Sequence, residues 1–383
     1  MEKRVETSRF GVFKFQLGYD EQELNILLQR VIDAQNRFKS SPLASVANSL
    51  EKEVVVSSIF GTNTIEGGQL SENETEQALA LSAEEIQSTQ QKRVINIRNA
   101  YDYIREVSTG KGWQPSLEDI CEIHRRVYDS LVVEGDENIP GVLRDNPKNI
   151  VTHVGSNEYG GIYKPPQLGR DIQLLLEALL EWNQSLVKQG IPALIRAPLV
   201  HLYFELIHPF WDGNGRVGRV LEAGILYADG FRYAPFAQAN YYLNHIHQYF
   251  ALFNQCRKAA KKKQDFPNHD FLMFFLQGMW ETINHLHDRV NDLVRIVLFQ
   301  SQIKHLLDEK QINKRQYAII NMVLKHSKPL TLKMLKKEPW FEALYAHLTE
   351  KTRSRDLKQL RDQGLIVIDE KEQILPGLVI SDW

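Results

Sequence analysis

Twelve consecutive residues bring together the groups that nucleotide phosphate chemistry requires. Their sequence is His-Pro-Phe-Trp-Asp-Gly-Asn-Gly-Arg-Val-Gly-Arg, and the members suited to chemistry are His208, Asp212, Gly213, Asn214, Gly215, Arg216 and Arg219. Glycines at the start of a helix allow backbone N–H groups to converge on an anion, and the helix N-terminus adds partial positive charge. The two arginines are three residues apart and so share one face of that helix, where paired guanidiniums suit a polyphosphate. The spacing therefore predicts an anion site at a helix N-terminus.

The histidine and the aspartate of this segment add reactive groups. Asp212 lies at the edge of the predicted anion site, where its carboxylate would hold Mg²⁺ against phosphate oxygens. His208 lies just before the loop, where a neutral imidazole would take a proton from an attacking hydroxyl. Taken singly, each residue is more often structural, because lone histidines commonly pack in a core and Gly-x-Gly is commonly a turn. The combination favours nucleotide phosphate chemistry over a plain loop between two helices.

A metal site is an alternative for the helix before the loop. His201, Glu205 and His208 fall at i, i+4 and i+7, on one face of that helix. Zinc peptidases use two histidines at i and i+4 with a glutamate between them. Here the histidines are seven residues apart and the glutamate has a different offset. The pattern therefore favours a hydrogen-bonded core histidine at His201.

The twelve-residue segment resembles the signature of the Fic family, H-P-F-x-[DE]-G-N-G-R-x-x-R, and matches it at every fixed position. The flanking runs Ile195-Arg-Ala-Pro-Leu-Val-His-Leu-Tyr-Phe-Glu-Leu-Ile, Gly141-Val-Leu-Arg144 and Tyr163-Lys-Pro-Pro166 are similar to Fic proteins as well. The resemblance covers about residues 101–290. It implies a mainly α fold, a Fic-type helical bundle with a short β-hairpin flap. It also implies an enzyme that transfers AMP from ATP to a Ser, Thr or Tyr hydroxyl of a protein target or of itself.

The resemblance also implies a role for each residue of the segment. His208 would be the base that deprotonates the hydroxyl as it attacks the α-phosphate, and Asp212 would bind Mg²⁺ between the α- and β-phosphates. Gly213, Asn214 and Gly215 would form the anion hole. Arg216 and Arg219 would hold the β- and γ-phosphates, with pyrophosphate leaving in line. Gly215 argues against the phosphotransferase branch of the family, which has a lysine there.

The stretch between the two flanking runs is rich in Gly, Pro and Asn and contains one β-rich run, so we expect a short hairpin within the helical domain. In Fic proteins such a flap pairs with an extended segment of the target by strand addition. The resemblance places it at about residues 149–154. The docking candidates are Ile150, Val151, Thr152 and His153.

A second family pattern, [ST]-x-x-x-E-[GN], occurs at Thr62-Asn-Thr-Ile-Glu66-Gly67. On its own it would be a helix end with an exposed glutamate, but N-terminal to an intact Fic motif it favours an inhibitory role. Glu66 would pair with Arg219 in the place of the γ-phosphate, so that ATP would bind in a pose unsuited to in-line attack. In Fic relatives with such a helix, this glutamate also supports removal of AMP, a second activity that the resemblance implies.

The nucleotide base is less well determined. Tyr241, Tyr242 and Tyr249 follow the motif and would stack on a base, but they are equally well interpreted as core aromatics. Because other Fic proteins transfer UMP or phosphocholine, AMP is inferred from the common case in the family.

The remaining sequence supplies the elements that position these residues. We expect an N-terminal helical region over residues 1–95, the Fic catalytic domain over 96–295, and a winged helix-turn-helix over 300–383, where three helices precede a hairpin. Ser116 is the expected N-cap of one helix. Helices of the first two regions are predicted at residues 21–38, 46–60, 79–103, 117–128, 168–188 and 195–208.

The C-terminal region is basic. Residues 311–361 hold twelve Lys or Arg against four Asp or Glu, an excess of eight positive charges, and the predicted recognition helix carries Lys351, Arg353, Arg355, Lys358 and Arg361. This pattern indicates DNA contact, but winged helices also mediate protein contact and dimerisation, which leaves a homodimer open. The alternative function is therefore a DNA-binding regulator whose Fic domain senses nucleotide or modifies the protein itself.

Composition excludes other classes of protein. The 383 residues include 43% apolar residues, enough for packed cores, and 46 Lys or Arg against 48 Asp or Glu, so the whole chain is no polycation. Two cysteines give no disulfide framework. The sequence shows no signal-peptide pattern and no apolar run of about 18 residues. We therefore expect a cytoplasmic protein with no membrane partner.

Overall fold

The computed structural model describes residues 2–110, 112–131, 138–325 and 330–378. The chain divides into two compact units, Met1–Ser40 with Asn48–Leu286 and Ser41–Ala47 with His287–Trp383. Most described residues lie in helices, so the expected mainly α class is confirmed. None of the helices in these ranges is long and apolar enough to cross a membrane.

The described residues of the first unit form two hairpins among its helices. The strands are β1 (Glu2–Glu6), β2 (Val12–Gln16), β3 (Val154–Ser156) and β4 (Gly161–Tyr163). The helices are α1 (Glu21–Lys39), α2 (Ala47–Ile65), α3 (Glu72–Leu79), α4 (Thr89–Val107), α5 (Leu117–Val127), α6 (Gly169–Lys188), α7 (Ala193–Ile207), α8 (Asn214–Ala228), α9 (Ala234–Asn244), α10 (Ile246–Lys261) and α11 (His269–Asp308), whose residues from His287 onward belong to the second unit.

Polar residues determine where several of these helices begin. Ser116 accepts from the backbone N–H of Asp119 and forms a capping box, so the predicted N-cap is confirmed. Ser88 caps α4 in the same way. The predicted continuous helix over 79–103 is wrong, because α3 ends at Leu79 and α4 begins at Thr89. Ser82 and Ser88 hold the intervening turns by capping, which stops one helix from running through.

Helix α7 runs through the core of the first unit. Every residue of α7 except Glu205 is buried, as expected of a helix that is apolar on all sides. It packs against α6, α8 and α10. Gly218 of α8 lets the two helices approach closely, since a Cβ there would lie 2.7 Å from His201 and 2.8 Å from Glu205. The loop between α7 and α8 is therefore held on a rigid frame.

The second hairpin lies slightly later in the chain than the sequence predicts. Strands β3 and β4 pair antiparallel, with Val154 opposite Tyr163, so Ile150–His153 lie outside the hairpin. The side chain of Gln167 accepts from the N–H of Thr152 at 2.8 Å and donates to its carbonyl at 3.2 Å. Because these bonds occupy the backbone of Thr152, this segment does not form a strand.

Within residues 312–325 and 330–378, the second unit combines four α-helices with a three-stranded antiparallel sheet. The helices are α12 (Lys314–Lys325), α13 (Leu332–Leu335), α14 (Pro339–Leu344) and α15 (Glu350–Asp362). The strands are β5 (Leu330–Thr331), β6 (Ile366–Ile368) and β7 (Gln373–Pro376), in the order β5-β7-β6. Helix α14 and strand β5 are additional to the predicted three helices and hairpin. Asp356 is buried inside this unit, where it pairs with Arg315 at 2.9 Å.

Candidate functional site

The loop between α7 and α8 has two residues in the left-handed region of backbone space. His208 ends α7 at φ 51°, and Gly213 begins α8 at φ 82°. Asn214 closes the loop, because its side chain accepts from the N–H of Phe210 at 2.9 Å and donates to its carbonyl at 2.8 Å. The Asn214 side chain therefore braces the loop, and the first N–H groups of α8 remain available for an anion.

A second histidine supports this loop from α5. The ring of His124 stacks on Phe210 at 3.7 Å between centroids. Its Nδ1 accepts from the N–H of Gly141 at 2.9 Å, so Nε2 carries the proton and donates to the carbonyl of Asp212 at 3.1 Å. Burial lowers the pKa of His124 to about 4, which keeps this arrangement at neutral pH. The sequence did not indicate this role for His124, because it lies in an amphipathic helix with no recognisable motif around it.

Arg144 fixes the loop from the other side. It is buried, and its guanidinium donates to the carbonyls of His208 and Pro166, each at 2.6 Å, and to the side chain of Asn146 at 2.6 Å. Its own N–H donates to the carbonyl of Pro209 at 2.9 Å. Burial lowers the pKa of Arg144 to about 10, so the group stays charged at neutral pH. Arg144 therefore joins the base of the flap to the loop.

Replacing Arg144 by alanine is expected to lower the free energy of unfolding by about 3 kcal/mol, because buried carbonyls lose a charged donor. Urea unfolding measures the change. Arg30→Ala, on an exposed part of α1, is the control and should shift stability by less than about 0.5 kcal/mol. A loss below about 1 kcal/mol at position 144 would contradict this bracing role.

A cavity of about 340 Å³ opens beside the loop. A volume of this order suits a small-molecule ligand. Its walls come from the residue that follows α2, from α7, α8 and α10, from the α7–α8 loop and from the β3–β4 hairpin. They are formed by Glu66, Val154, Gly155, Ser156, Tyr159, Tyr163, Glu205, His208, Trp211, Asp212, Gly213, Asn214, Gly215, Arg219, Tyr249, Phe250, Phe253 and Asn254. The predicted base, the predicted anion loop and the predicted inhibitory glutamate thus lie around one space.

The imidazole of His208 is suited to accept a proton. Burial, assisted by the charge of Arg144, lowers its pKa to about 4, so the ring is neutral at physiological pH. Its Nδ1 is buried and has no hydrogen-bond partner among the described residues. A neutral imidazole in a cavity is the form that a general base needs.

Glu66 lies directly over the N-terminal turn of α8. Its carboxylate accepts from Nη2 of Arg219 at 2.7 Å. A Cβ at Gly215 would collide with the same carboxylate oxygen, so a larger residue at 215 would displace the Glu66 side chain from this position. The carbonyl of Glu66 accepts from Arg93 at 2.9 Å, which holds the end of α2 in place. A carboxylate therefore lies over the N-terminus of α8, where the helix dipole favours an anion.

A chain of buried hydrogen bonds positions Arg219. Its Nη1 donates to the hydroxyl of Tyr249 at 3.3 Å, and that hydroxyl lies 3.1 Å from Nε2 of His201. The other nitrogen of His201 lies 2.8 Å from the carboxylate of Glu222. Both ring nitrogens of His201 thus have partners, which agrees with the predicted core histidine.

Arg216 does not share the cavity with Arg219, which differs from the expectation that both arginines hold phosphates from one helix face. Its Nη2 lies 3.2 Å from the Asp212 carboxylate, and the side chain is buried outside the cavity wall. The physical reason is the i, i+4 pairing with Asp212, which draws the guanidinium beneath the loop. The Nε and Nη1 atoms of Arg216 have no partner among the described residues.

The three candidate tyrosines separate into two groups. Tyr249 lines the cavity. Tyr242 is buried behind it, stacked on Tyr249 at 4.5 Å and donating to Glu222 at 2.8 Å, and Tyr241 packs against Phe274, so neither reaches the cavity. Their interpretation as core aromatics is the one that the geometry supports. The aromatic walls that sequence reasoning missed are Tyr159, Trp211, Phe250 and Phe253.

Known proteins resemble the part of the chain that holds this site. Residues 114–226 match the model of the Fic/DOC family. The protein adenylyltransferase Fic of Nematostella vectensis is 26% identical over 210 residues, 54% of this chain and 45% of the relative. That of Aedes aegypti is 28% identical over 204 residues, 50% of this chain and 37% of the relative. Residues 114–226 are therefore similar to a Fic domain, and the chain spans less than half the length of these relatives.

Solved structures agree at the level of the fold. A Fic family protein from Desulfovibrio desulfuricans superposes with a TM-score of 0.56 at 16% identity, covering 96% of this chain and all of that one. A Fic domain containing signaling protein from Bacteroides thetaiotaomicron gives 0.53 at 17% identity, covering 68% and 98%. The fold is therefore the Fic helical fold.

Proposed function

We propose that the protein is an adenylyltransferase that moves AMP from ATP to a Ser, Thr or Tyr hydroxyl of a protein target or of itself. The observation that carries this proposal is the convergence of a neutral His208, the N-terminus of α8 and Arg219 on one cavity. The names of the related Fic proteins support the same chemistry.

The donor would lie on the first turn of α8. The N–H groups at Asn214 and Gly215 bind phosphate oxygens, and Arg219 holds the end of the triphosphate. The N–H of Gly213 donates to the Asp212 carboxylate at 2.6 Å and joins them when that carboxylate turns to a metal ion. Arg216, with two unpartnered nitrogens close to the loop, reaches the β-phosphate when it releases Asp212. The aromatic walls enclose the nucleoside.

A magnesium ion fits the residues at the rim of this site. The carboxylate of Asp212 is 56% exposed and lies at the cavity, and one carboxylate plus substrate phosphates is an ordinary Mg²⁺ ligand set. No cluster of three or more His, Cys, Asp or Glu suited to a metal occurs in the described part of the chain. Bound at Asp212, Mg²⁺ would neutralise charge on the α- and β-phosphates.

The chain's own residues carry the proton and the leaving charge. Nε2 of His208 takes the proton of the target hydroxyl, whose oxygen forms a bond to the α-phosphorus. The bond from that phosphorus to the bridging oxygen breaks, and pyrophosphate leaves with the electron pair. The N–H groups of α8 and Arg219 stabilise the negative charge. In the unaltered protein, where the Glu66 side chain occupies part of the cavity, ATP binds in a pose unsuited to this attack.

The target would dock on β3 rather than on the residues predicted from sequence. Strand β3 pairs with β4 along one edge and lines the cavity through Val154, Gly155 and Ser156. A free strand edge accepts an extended segment by backbone pairing. Asn254 donates to the carbonyl of Gly161 at 2.6 Å and so holds the hairpin on α10.

Transfer of labelled AMP by a Glu66→Gly variant tests the adenylyltransferase proposal as a whole.

A second function, DNA binding, is favoured by one surface of the second unit. Its helices and three-stranded sheet follow the order of a winged helix. On α15, Lys351, Arg355 and Lys358 are exposed at i, i+4 and i+7. Arg353 instead packs within the second unit, because its guanidinium lies 5.5 Å from the ring centroid of Tyr345.

The triple variant Lys351→Ala/Arg355→Ala/Lys358→Ala is expected to bind labelled DNA duplexes more weakly than the unaltered protein does, whatever the base sequence of the duplex. Each lost phosphate contact should reduce the slope of log K against log salt by about 0.9, measured by anisotropy between about 50 and 200 mM salt. The control removes the same charge from the exposed Lys261, Lys262 and Lys263 of the first unit. Equal binding by both triple variants would contradict a DNA role for α15.

A further inference from the structure

Glu205 is the one residue of α7 that is not buried in the core. Its side chain lies on the cavity wall with 14% of its surface exposed. Its Oε1 atom is buried and has no hydrogen-bond partner in the described ranges, and its Oε2 atom lies 3.8 Å from Nδ1 of His208. Because an unpartnered buried carboxylate oxygen is costly, its retention beside the base points to a function.

Nδ1 of His208 is the second unpartnered atom of this pair. Among the described residues, the acceptors that face it are the carboxylate and the main-chain carbonyl of Glu205. The carbonyl already accepts from the hydroxyl of Tyr163 at 2.8 Å. A carbonyl oxygen has a second lone pair, so this carbonyl and the carboxylate are the two acceptors facing an Nδ1–H group, and the carboxylate is the one that can carry a charge.

We propose that Glu205 is a positioning residue for the base, with its carboxylate accepting the Nδ1–H of His208. A closure of about 1 Å brings the two atoms to hydrogen-bond distance. The ring then presents a bare Nε2 to the target hydroxyl, and the negative carboxylate stabilises the imidazolium that forms when the proton is taken. Nδ1 keeps its proton and Glu205 takes none. This inference rests on the proposed adenylyltransferase function and deepens it.

The protonated form of Glu205 has the opposite effect. A neutral carboxyl donates to Nδ1, which places the ring proton on Nε2 and removes the lone pair that the reaction needs. Burial first, and then the charge of Glu66, raise the pKa of Glu205 to about 8, while Arg219 acts against them. With Glu66 in place, Glu205 therefore holds its proton at pH 7. Glu66 thus restrains the base as well as the phosphate site.

The charged and titratable groups around the pair come from several elements. Those that face Glu205 or His208 are Glu66 just after α2, Tyr163 of β4, Arg219 of α8, Tyr249 of α10, and Arg144 and Asp212 of the loops. Removing the Glu66 carboxylate deletes one negative charge and leaves Arg219 without its partner. Both changes favour an ionised Glu205 and lower its pKa below about 8.

The test measures kcat/KM for ATP labelled on the α-phosphate from about pH 5 to pH 10. In Glu66→Gly protein, the rate should rise with pH as Glu205 ionises. Glu66→Gly/Glu205→Gln should lose this rise and be slower at high pH by about ten- to a hundredfold, because glutamine never carries the charge. Glu66→Gly/Glu177→Gln, altered at an exposed glutamate of α6, is the matched control and should keep the full profile.

A second measurement shows directly which ring nitrogen of His208 carries the proton. Two-bond ¹H–¹⁵N correlation spectra should show His208 in the Nδ1–H form in Glu66→Gly protein at high pH, and a mixture of forms in the Glu205→Gln variant. Glu205→Asp keeps the charge at a longer distance, so it should retain the pH dependence with a lower rate. An unchanged pH profile and an unchanged tautomer in both Glu205→Gln and Glu205→Ala would overturn the proposal, because the main-chain carbonyl would then suffice.

Different results would overturn the adenylyltransferase proposal and the positioning role of Glu205. If Glu66→Gly protein transfers no AMP, the adenylyltransferase proposal fails and the spectra still decide whether Glu205 sets the tautomer of His208. If AMP is transferred with a pH profile that Glu205→Gln leaves intact, only the positioning role fails. Thermal unfolding of each variant separates a folding defect from either result.

Discussion

Glu66→Gly protein is expected to attach AMP to itself at least about a hundredfold faster than the unaltered protein. The carboxylate of Glu66 lies 2.7 Å from Arg219 and covers the first turn of α8, where a Cβ at Gly215 would collide with it. Its removal frees the guanidinium for a phosphate and lets the triphosphate take a pose suited to in-line attack. The initial rate of label incorporation from α-labelled ATP measures the gain.

The control for Glu66→Gly tests whether a new glycine near the end of α2 changes activity by itself. Gln69→Gly introduces glycine at an exposed position three residues further on, where only the backbone N–H is hydrogen-bonded to Gln90. It should leave transfer at the level of the unaltered protein. If Glu66→Gly protein binds ATP and yet labels no faster than the Gln69→Gly protein, Glu66 is not an inhibitory residue.

His208→Ala in the Glu66→Gly background is expected to lower transfer by about 10²- to 10⁴-fold. The substitution removes the group that takes the hydroxyl proton and leaves the anion site and Arg219 in place. ATP binding, measured by calorimetry, should therefore change little. A loss of binding equal to the loss of rate would instead assign His208 to substrate binding.

The backbone at position 208 needs its own control, because its φ of 51° suits few side chains. Asparagine tolerates this region better than alanine does, so His208→Asn protein tests the loss of the imidazole with less backbone strain. Both variants should be inactive to the same degree. His305→Ala, at an exposed histidine of α11, should retain full activity.

Local spacing predicted the loop between α7 and α8. The apolar run of α7, the glycines after it and the two arginines of α8 lie within one short stretch, so helix periodicity alone indicates where the anion loop falls. The pair of Glu66 and Arg219 is different, because 153 residues separate them. Only the resemblance to Fic proteins connected the two, since no periodicity links distant helices.

Residue type alone could not place the remaining side chains. Tyr242 and Tyr249 are both buried tyrosines, and only the packing of α9 and α10 decides which of them reaches the cavity. Thr152 lies in a β-rich run, yet side-chain bonds from Gln167 fifteen residues later occupy its backbone. Glu205 matched an imperfect metal pattern, whereas its carboxylate lies near His208 because the two residues are three apart at the end of α7. Tertiary contacts settle the first two of these cases.

The most direct test of the central claim uses two positions of label in ATP. Glu66→Gly protein is incubated with Mg²⁺ and ATP labelled at either the α- or the γ-phosphate, and denatured protein is then assayed for label. AMP transfer predicts α-label on the protein and no γ-label, with competition by unlabelled ATP and little by UTP or CDP-choline. Label from the γ-phosphate, or no label while ATP binding is intact, would contradict transfer of AMP by this site.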